Sequence, residues 1–290
     1  MKQSENRMSE KICLVTGSSR GIGYYTALGL AQMGAKVIIV SHHEGRCKKA
    51  VEKIKTQTGN DLVCYYVADL SSLDEIQQLA DKIKQNYQKL DVLVNNAGGW
   101  YRKREETIDG IEKTFALNHL SYFLLSGLIL ELILNTQDAR IINVTSDAHR
   151  AARKIDFNDP EFFKKYRSFG AYAQSKLANL LFTYELAERL SHESISVNAV
   201  HPGLVRSEFY RDFGFIGKVI NLFISLFGKN AKEGADTPIY LASSPELDDV
   251  SGKYFVDRQE KKSSPISYDQ STAHRLWQIS ETMTGFTYPV

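Results

Sequence analysis

The chain has 290 residues, of which 43% are hydrophobic and 24% charged, and its formal net charge is +2. It is long enough to bury one substantial core, and its nearly balanced charge gives no reason to expect a nucleic-acid partner. Its three cysteines lack metal-ligand spacing and no apolar run reaches the ~18 residues of a membrane-spanning helix, so we expect neither a disulfide framework nor a transmembrane protein.

Short β-branched or aromatic runs alternate with helical patterns along the chain. The strand-like runs cover residues 12–15, 37–40, 62–67, 92–94, 141–145, 197–200 and 254–256. The helical patterns cover residues 22–33, 44–57, 71–88, 108–134, 169–190 and 231–242. Near-continuous apolar strands separated by helices predict a predominantly parallel, seven-stranded sheet with helices on both faces. This is the doubly wound, Rossmann-type α/β architecture, and we expect a single domain over residues 1–290.

A glycine-rich segment, Thr16 to Gly23, follows the first strand and leads directly into a helical pattern. A strand, a tight turn and a helix start bring backbone N–H groups and the positive end of a helix dipole toward an anion. Gly17 and Gly21 would let the backbone turn and approach a ligand, and Gly23 would let the helix pack close to the strand. Many glycine loops are only turns, but this placement predicts a dinucleotide pyrophosphate site.

Acid-base chemistry is indicated by Tyr172 and Lys176, which lie four residues apart in a helical pattern. Residues at this spacing share a helix face, so the ammonium group can approach the phenol and lower its pKa. Such a pair is common by chance on helix surfaces. Ser146 strengthens the interpretation because it follows the strand-like run 141–145, where the carboxyl end of a parallel strand meets the ligand crevice.

These motifs resemble those of the short-chain dehydrogenase/reductase family, in the family's order and over nearly the whole chain. The glycine loop, the segment Asn95-Asn96-Ala97-Gly98 and the turn Pro202-Gly203 each match a family motif. The resemblance also implies a catalytic tetrad of Asn118, Ser146, Tyr172 and Lys176.

The family's roles follow for the matching residues. Tyr172 is expected to be the general acid for carbonyl reduction and the base for alcohol oxidation, while Ser146 polarises the carbonyl. Lys176 would bind the ribose hydroxyls and tune Tyr172, and Asn118 would hold a water that relays protons. The resemblance also implies transfer of the pro-S hydride.

Cofactor contacts are expected along the carboxyl edge of the sheet. Asn96 resembles the residue that backs the cofactor and stabilises the central strand, and Asp69-Leu70 resembles the adenine-side contact. The expected cofactor-binding residues are Gly17, Ser19, Arg20, Gly21, Ile22, Gly23, His42, Asp69, Leu70, Asn96, Ala97, Gly98, Tyr172, Lys176, Pro202, Gly203, Val205 and Ser207.

The choice between NAD and NADP can be argued from charge. Enzymes that prefer NAD usually place a carboxylate after the second strand, whereas a 2′-phosphate needs cationic donors. Here Ser41-His42-His43 follows that strand, no acid occurs before Glu44, and Arg20 lies in the glycine loop. We therefore expect NADP rather than NAD, although His42 stands where the retinol-dehydrogenase pattern has Arg.

The segments 146–157 and 171–186 and the tail around 275–277 resemble the retinol dehydrogenase and WW-domain oxidoreductase branch. This resemblance implies an NADP-linked enzyme that acts on an apolar aldehyde, ketone or alcohol, with retinoids and steroids as the obvious class. Substrate choice resides in variable loops, so the resemblance does not name the substrate. The alternative function is a nucleotide-binding scaffold or redox sensor, against which the intact tetrad argues.

An apolar segment, 209–227, follows the Pro202-Gly203 turn and belongs to an expected lid insertion at about 206–230. Three interpretations stay open: a substrate lid, ordinary amphipathic packing, or an interfacial helix resting on a membrane. The apolar helix 120–134 is expected to pack on the sheet or on a second subunit. The family resemblance implies a homodimer formed through helices of this region.

The sequence also bears on localisation and metal content. The first ten residues are polar and contain no apolar signal core. With Cys13, Cys47 and Cys64 interpreted as reduced thiols, this predicts a cytoplasmic protein, with peripheral membrane contact through 209–227 as one option. The histidines share no metal-ligand spacing and are interpreted as local polar residues, so no metal is expected; they include His119, His149, His192 and His201.

Overall fold

Strands and helices alternate in the computed structural model, which describes residues 8–157, 159, 166–205 and 228–290. The predicted residue Ser207 and nearly all of the predicted lid insertion lie outside the described residues. The strands are Ile12–Thr16 (β1), Lys36–Ser41 (β2), Val63–Val67 (β3), Val92–Asn95 (β4), Ala139–Val144 (β5), Ile195–His201 (β6), Tyr254–Val256 (β7) and Gln259–Glu260 (β8).

The helices fill the intervals between the strands. The α-helices are Gly21–Gln32 (α1), Glu44–Thr58 (α2), Leu73–Asn86 (α3), Lys113–Phe115 (α4), Ser121–Leu128 (α5), Leu130–Leu134 (α6), Ser168–Arg189 (α7), Ala231–Gly234 (α8), Asp236–Ser243 (α9) and Gln270–Thr284 (α10). A π-helical turn covers Ala116–Leu120, and 3-10 turns cover Asp147–Ala151, Pro245–Leu247 and Pro265–Tyr268.

The strands form one sheet in the order β3-β2-β1-β4-β5-β6-β7-β8. The first seven strands pair in parallel, as predicted, and only β8 is antiparallel. The order reverses between β1 and β4, which is the switch point where doubly wound folds bind ligands at the carboxyl ends of the strands. The prediction of a Rossmann-type α/β fold is therefore confirmed.

The eighth strand was not predicted because its two residues are polar and exposed. It pairs with β7 through a two-residue turn at Asp257 and Arg258, with Val256 opposite Gln259. Both turn residues have positive φ, 53° and 59°, as a type I′ hairpin turn requires. The turn therefore depends on two non-glycine residues that give no glycine signal in the sequence.

Two apolar clusters cover the two faces of the sheet because alternate residues of each strand point to opposite sides. Leu14, Leu93 and Ile141 lie in one cluster, and Val15 and Val94 in the other. Burying each such side chain stabilises the fold by roughly 1.5–3 kcal/mol. With both faces covered, the edge where the strands end is left to form the site.

The predicted helix over 108–134 is wrong at its start and continuous only in part. It begins at Lys113 because buried Glu112 accepts hydrogen bonds from the backbone N–H groups of Thr114 at 2.9 Å and Phe115 at 2.8 Å. Before it, Gly110 closes a turn at a φ of 74°. The helical path then contains the π turn and a break at Ile129. The predicted helix over 231–242 is likewise divided at Ala235.

Within the described ranges, none of the helices combines the length and apolar character needed to cross a bilayer.

Candidate active site

The glycine loop after β1 lies against the end of β4. Gly17 has a φ of 62°, and a Cβ on it would come within 2.8 Å of the Cα of Ala97. A Cβ on Gly23 would come within 2.5 Å of Nδ2 of Asn96. No side chain fits at either position, so Gly17 lets the loop contact the backbone after β4, and Gly23 lets α1 approach the Asn96 side chain.

Asn96 and Thr16 fasten this contact with hydrogen bonds. The Asn96 amide donates to the Thr16 carbonyl at 2.8 Å, and the Thr16 hydroxyl accepts from the backbone N–H groups of Asn96 at 2.9 Å and Ala97 at 3.0 Å. The predicted structural role of Asn96 agrees with these contacts. Thr16 was not among the predicted site residues, although it opens the glycine motif.

The start of α1 fits an anionic group. Gly21 has a φ of 61°, and a Cβ on it would meet nothing within 4 Å, so its backbone faces open space. The first turn of α1 carries no acidic side chain. The N–H groups of a helix's first turn have no partner within the helix, and the helix dipole adds positive potential there. Gly21, Ile22 and Gly23 could therefore hold a pyrophosphate.

The end of β2 lies beside the glycine loop. The Ser19 hydroxyl donates to the Ser41 hydroxyl at 2.9 Å, which joins the loop to the last residue of β2. His42 follows and is exposed. Glu44 pairs with Lys48 at 2.9 Å within α2. The hydrogen bond from Lys48 and its positive charge lower the pKa of the Glu44 carboxyl.

Two other predicted cofactor residues lie after β3. Asp69 accepts hydrogen bonds at Oδ1 from the backbone N–H of Ser71 at 2.9 Å and from its hydroxyl at 2.8 Å. The Asp69 side chain thus shapes its own turn, while Leu70 is buried. An exposed acid in a fixed turn at this edge is able to meet the base of a nucleotide.

Tyr172 and Lys176 share one face of α7, as their spacing predicts. The Lys176 ammonium nitrogen lies 5.9 Å from the centroid of the Tyr172 ring and donates to the Val144 carbonyl at 3.1 Å. Burial lowers the pKa of Lys176 to about 7. Burial therefore favours the neutral amine, whereas an anionic phenolate beside it would favour the charged form.

Ser146 lies just beyond β5, which ends at Val144. Its hydroxyl is partly exposed and accepts from the backbone N–H of Ala148 at 3.2 Å, so it also caps the following 3-10 turn. Ser146 therefore lies at the carboxyl edge of the sheet. Lys176 lies at the same edge, because its ammonium group bonds the Val144 carbonyl.

His149 supports Ser146 and was interpreted from sequence only as a local polar residue. Its Nε2 accepts from the backbone N–H of Ser264 at 3.1 Å. Because that nitrogen carries the lone pair, Nδ1 carries the proton and donates to the Ser146 carbonyl at 2.7 Å. The ring is buried, which lowers its pKa. Ser264 lies 115 residues away in sequence, so no local pattern indicated this contact.

Asn118 lies in the π turn, a distortion that is frequent at functional sites. Its amide oxygen accepts from the Gly99 N–H at 2.7 Å, and its amide nitrogen donates to the Gly99 carbonyl and to the Ser175 hydroxyl, both at 2.9 Å. These contacts bind the loop after β4 to α7. Since the side-chain amide is bonded to protein groups, a water that relays protons would have to bind the backbone of Asn118 instead.

The turn after β6 closes the other side of the site. Gly203 has a φ of 90°, and Val205 pairs with Lys229 in an isolated bridge. A Cβ on Gly234 would lie 2.6 Å from Val205 and 3.3 Å from Ile22, so this turn packs toward the start of α1. Pro202 is buried beside it.

The structure thus brings the predicted tetrad and most predicted cofactor residues to one edge of the sheet. A hydroxyl, a phenol and a buried amine there are able to polarise a carbonyl and exchange a proton. Among the residues that the structure describes, no group of three or more His, Cys, Asp or Glu side chains is arranged to hold a metal ion.

Known proteins resemble this chain in sequence and in fold. Residues 11–214 match the family model described as short chain dehydrogenase. Retinol dehydrogenase 13 of Mus musculus is 40% identical over 281 residues, covering 95% of this chain and 84% of that protein. Polyprenol dehydrogenase of Homo sapiens is 38% identical over 283 residues, covering 95% and 86%. The solved RhlG/NADP active-site complex of Pseudomonas aeruginosa has a TM-score of 0.70 and 26% identity, covering 91% of this chain and 99% of that one.

The contacts of His149 predict a stability effect. Phe in its place keeps a ring against Tyr254 but leaves the Ser264 N–H without its acceptor, so the free energy of unfolding should fall by about 1–3 kcal/mol. Burial holds the His149 pKa below its usual 6.5, so the wild type's advantage over His149→Phe should shrink as the pH falls below that value. Urea unfolding of both proteins measures it, and equal stability throughout would contradict the assignment.

Burial of Lys176 predicts a pH effect on the nucleotide-free protein. Between the folded pKa of about 7 and the unfolded pKa of 10.5, the unfolded chain binds more protons, so stability rises with pH. Relative to Lys176→Met, the wild type should gain about 2 kcal/mol between roughly pH 7 and pH 9. Exposed Lys53 supplies the control variant, Lys53→Met. Parallel pH profiles for wild type and Lys176→Met would refute the burial argument.

Proposed function

The chain belongs to the short-chain dehydrogenase/reductase family, and we propose that it is an NADP-dependent oxidoreductase that interconverts an apolar carbonyl compound and its alcohol. The family consists of oxidoreductases that use nicotinamide dinucleotides. The observation that carries the proposal is that Lys176 lies beside Tyr172 and bonds the Val144 carbonyl, two residues before Ser146, at the sheet edge where α1 also begins. This arrangement supports proton exchange next to a bound nucleotide.

In this proposal, Gly21, Ile22 and Gly23 hold the pyrophosphate, while Asn96 keeps the loop in place. Lys176 meets the ribose hydroxyls on the nicotinamide side, and the turn at Pro202-Gly203 backs the ring. When bound, the nicotinamide supplies or accepts the hydride. The protein's own groups then have to orient the substrate and move one proton.

Ser146 donates a hydrogen bond to the substrate oxygen and stabilises the negative charge that develops on it. Tyr172 gives its phenolic proton to that oxygen during reduction and takes the proton back during oxidation. Charged Lys176 stabilises the phenolate that results, since an opposite charge nearby favours the ionised form. His149 keeps the Ser146 backbone in place through the bond from Nδ1 to the Ser146 carbonyl.

The preference for NADP rests on the end of β2. Ser19, Ser41 and His42 offer hydroxyl and imidazole groups there, and Arg20 directly precedes α1. The Glu44 carboxylate pairs with Lys48, so in this proposal it does not accept a hydrogen bond from the ribose 2′-hydroxyl. The solved RhlG complex is named for NADP, which also supports this preference.

The apolar character of the substrate is supported by two relatives that are named for retinol and polyprenol, both apolar alcohols. The predicted lid over residues 209–227 would add an apolar cover, because burial of apolar area favours a lipophilic ligand by roughly 25 cal/mol per Å². We propose this segment as the lid of the same site.

Tyr172→Phe tests the proton-transfer role. The variant should lower kcat for carbonyl reduction by about 10²–10⁴-fold because phenylalanine has no hydroxyl proton to give. NADPH affinity, measured by fluorescence titration, should stay the same. The control is Tyr184→Phe, another tyrosine of α7 whose hydroxyl bonds Ser263 at 2.8 Å, and it should retain turnover. Full activity of Tyr172→Phe would refute the mechanism, and a wild type that binds NADPH without turnover would favour the scaffold alternative.

Arg20→Ala tests the choice of cofactor. Loss of one charged contact to the 2′-phosphate should lower the ratio of kcat/KM for NADPH to kcat/KM for NADH by roughly tenfold. Arg46→Ala, which removes an exposed charge of α2, is the matched control and should leave the ratio unchanged. Equal efficiencies with the two cofactors in the wild type, or an unchanged ratio in Arg20→Ala, would overturn the NADP assignment.

A further inference from the structure

Trp100 lies directly against the proposed catalytic phenol. It follows the strand-end segment Asn95-Asn96-Ala97-Gly98 by two residues, and its ring centroid is 5.4 Å from that of Tyr172 with the planes inclined by 19°. The two rings are therefore stacked, and both side chains are partly exposed. A surface-accessible indole stacked on a reacting group is not needed to build the core.

Hydrogen bonds fix the orientation of this indole. Its Nε1–H donates to the Ser168 hydroxyl at 2.7 Å, and that hydroxyl donates to the Tyr101 carbonyl at 2.7 Å. Ser168 is the first residue of α7, the helix that also carries Tyr172. The loop after β4 and the phenol are thus held by one rigid element, which gives Trp100 a defined position relative to the reacting hydroxyl.

Phe169 extends the aromatic surface toward solvent. Its ring centroid is 5.6 Å from that of Trp100, with the planes inclined by 55°, and 48% of its surface is exposed. The next turn of the same helix carries Tyr172. A continuous aromatic wall, formed by Trp100 and Phe169, therefore runs from the reacting phenol to the protein surface.

We propose that Trp100 is a specificity-determining residue that selects carbonyl substrates with a flat, conjugated group next to the carbonyl. This inference rests on the proposed function, because it assumes that the substrate oxygen meets the Tyr172 hydroxyl. A group attached to that carbonyl must lie close to the ring of Tyr172, and the indole stacked on this ring borders the same space.

The selection has a physical cause in ring geometry. A planar π system can lie parallel to the indole, or meet it edge to face, with ring centroids 4.5–7 Å apart, and such pairs gain affinity beyond the apolar area they bury. A saturated ring of the same size is thicker and has no π face. The wall therefore favours the flat substrate over its saturated counterpart in the bound state.

The experiment compares 2-naphthaldehyde with decahydronaphthalene-2-carbaldehyde, which have the same carbon skeleton. For each protein, kcat/KM with NADPH is measured for both aldehydes, and the value for the flat aldehyde is divided by that for the saturated one. The wild-type ratio is then compared with the ratio of each variant, so that intrinsic aldehyde reactivity cancels. Trp100→Leu, which keeps apolar bulk but lacks a π face, should lower the preference for the flat aldehyde by about three- to tenfold. Trp100→Phe should retain most of it.

A matched control is Tyr268→Leu, which removes an exposed aromatic residue stacked on Tyr184 at 5.1 Å, and it should leave the preference unchanged. An unchanged preference in Trp100→Leu would overturn the assignment of Trp100 alone. A wild type that reduces neither aldehyde, nor any other apolar carbonyl, would contradict the proposed function instead.

A binding measurement covers the case in which Trp100→Leu fails to fold or loses turnover with both aldehydes. Quenching of tryptophan fluorescence by 2-naphthylmethanol, in the presence of NADP⁺, should be clearly larger in the wild type than in Trp100→Phe, which leaves only buried Trp277. Equal quenching in the two proteins would place the flat group away from Trp100 and overturn the proposal.

Discussion

The hydrogen-bonded contact between Thr16 and Asn96 is the constraint on which the site depends. It joins the ends of β1 and β4 across the point where the strand order reverses. Gly17 and Gly23 make the contact sterically feasible because neither position has room for a Cβ. Without this junction, the start of α1, our proposed pyrophosphate site, would not lie beside the loop that Asn118 holds against α7.

The residues of the proposed tetrad also make contacts that stabilise the fold. The Lys176 ammonium bonds the last carbonyl of β5, and the Ser146 hydroxyl caps the next turn. The Asn118 amide is engaged with Gly99 and Ser175. Each group is therefore oriented before a ligand arrives, which is the condition for electrostatic stabilisation without reorganisation. Burial of Lys176 has an electrostatic cost that a negatively charged partner would offset.

The sheet could be predicted from the sequence, and so could the shared helix face of Tyr172 and Lys176, but the contacts that support these residues could not. Buried parallel strands are continuous apolar runs, so all seven parallel strands were found, whereas β8 has two exposed polar residues. Thr16, Trp100 and His149 were missed because their partners are distant in the chain: Ser168 lies 68 residues from Trp100 and Ser264 lies 115 from His149. The helix start at Lys113 depends on buried Glu112, and no local sequence pattern indicates that this glutamate is buried.

Hydride transfer itself is tested most directly with NADPH that carries deuterium in the pro-S position at C4 of the nicotinamide. The protein and this cofactor are incubated with 2-naphthaldehyde, and the alcohol is analysed by mass spectrometry. The account predicts an alcohol that carries one deuterium on its carbinol carbon, and an unlabelled alcohol when the pro-R position is labelled instead. An alcohol that carries no deuterium from the pro-S-labelled cofactor would contradict the account.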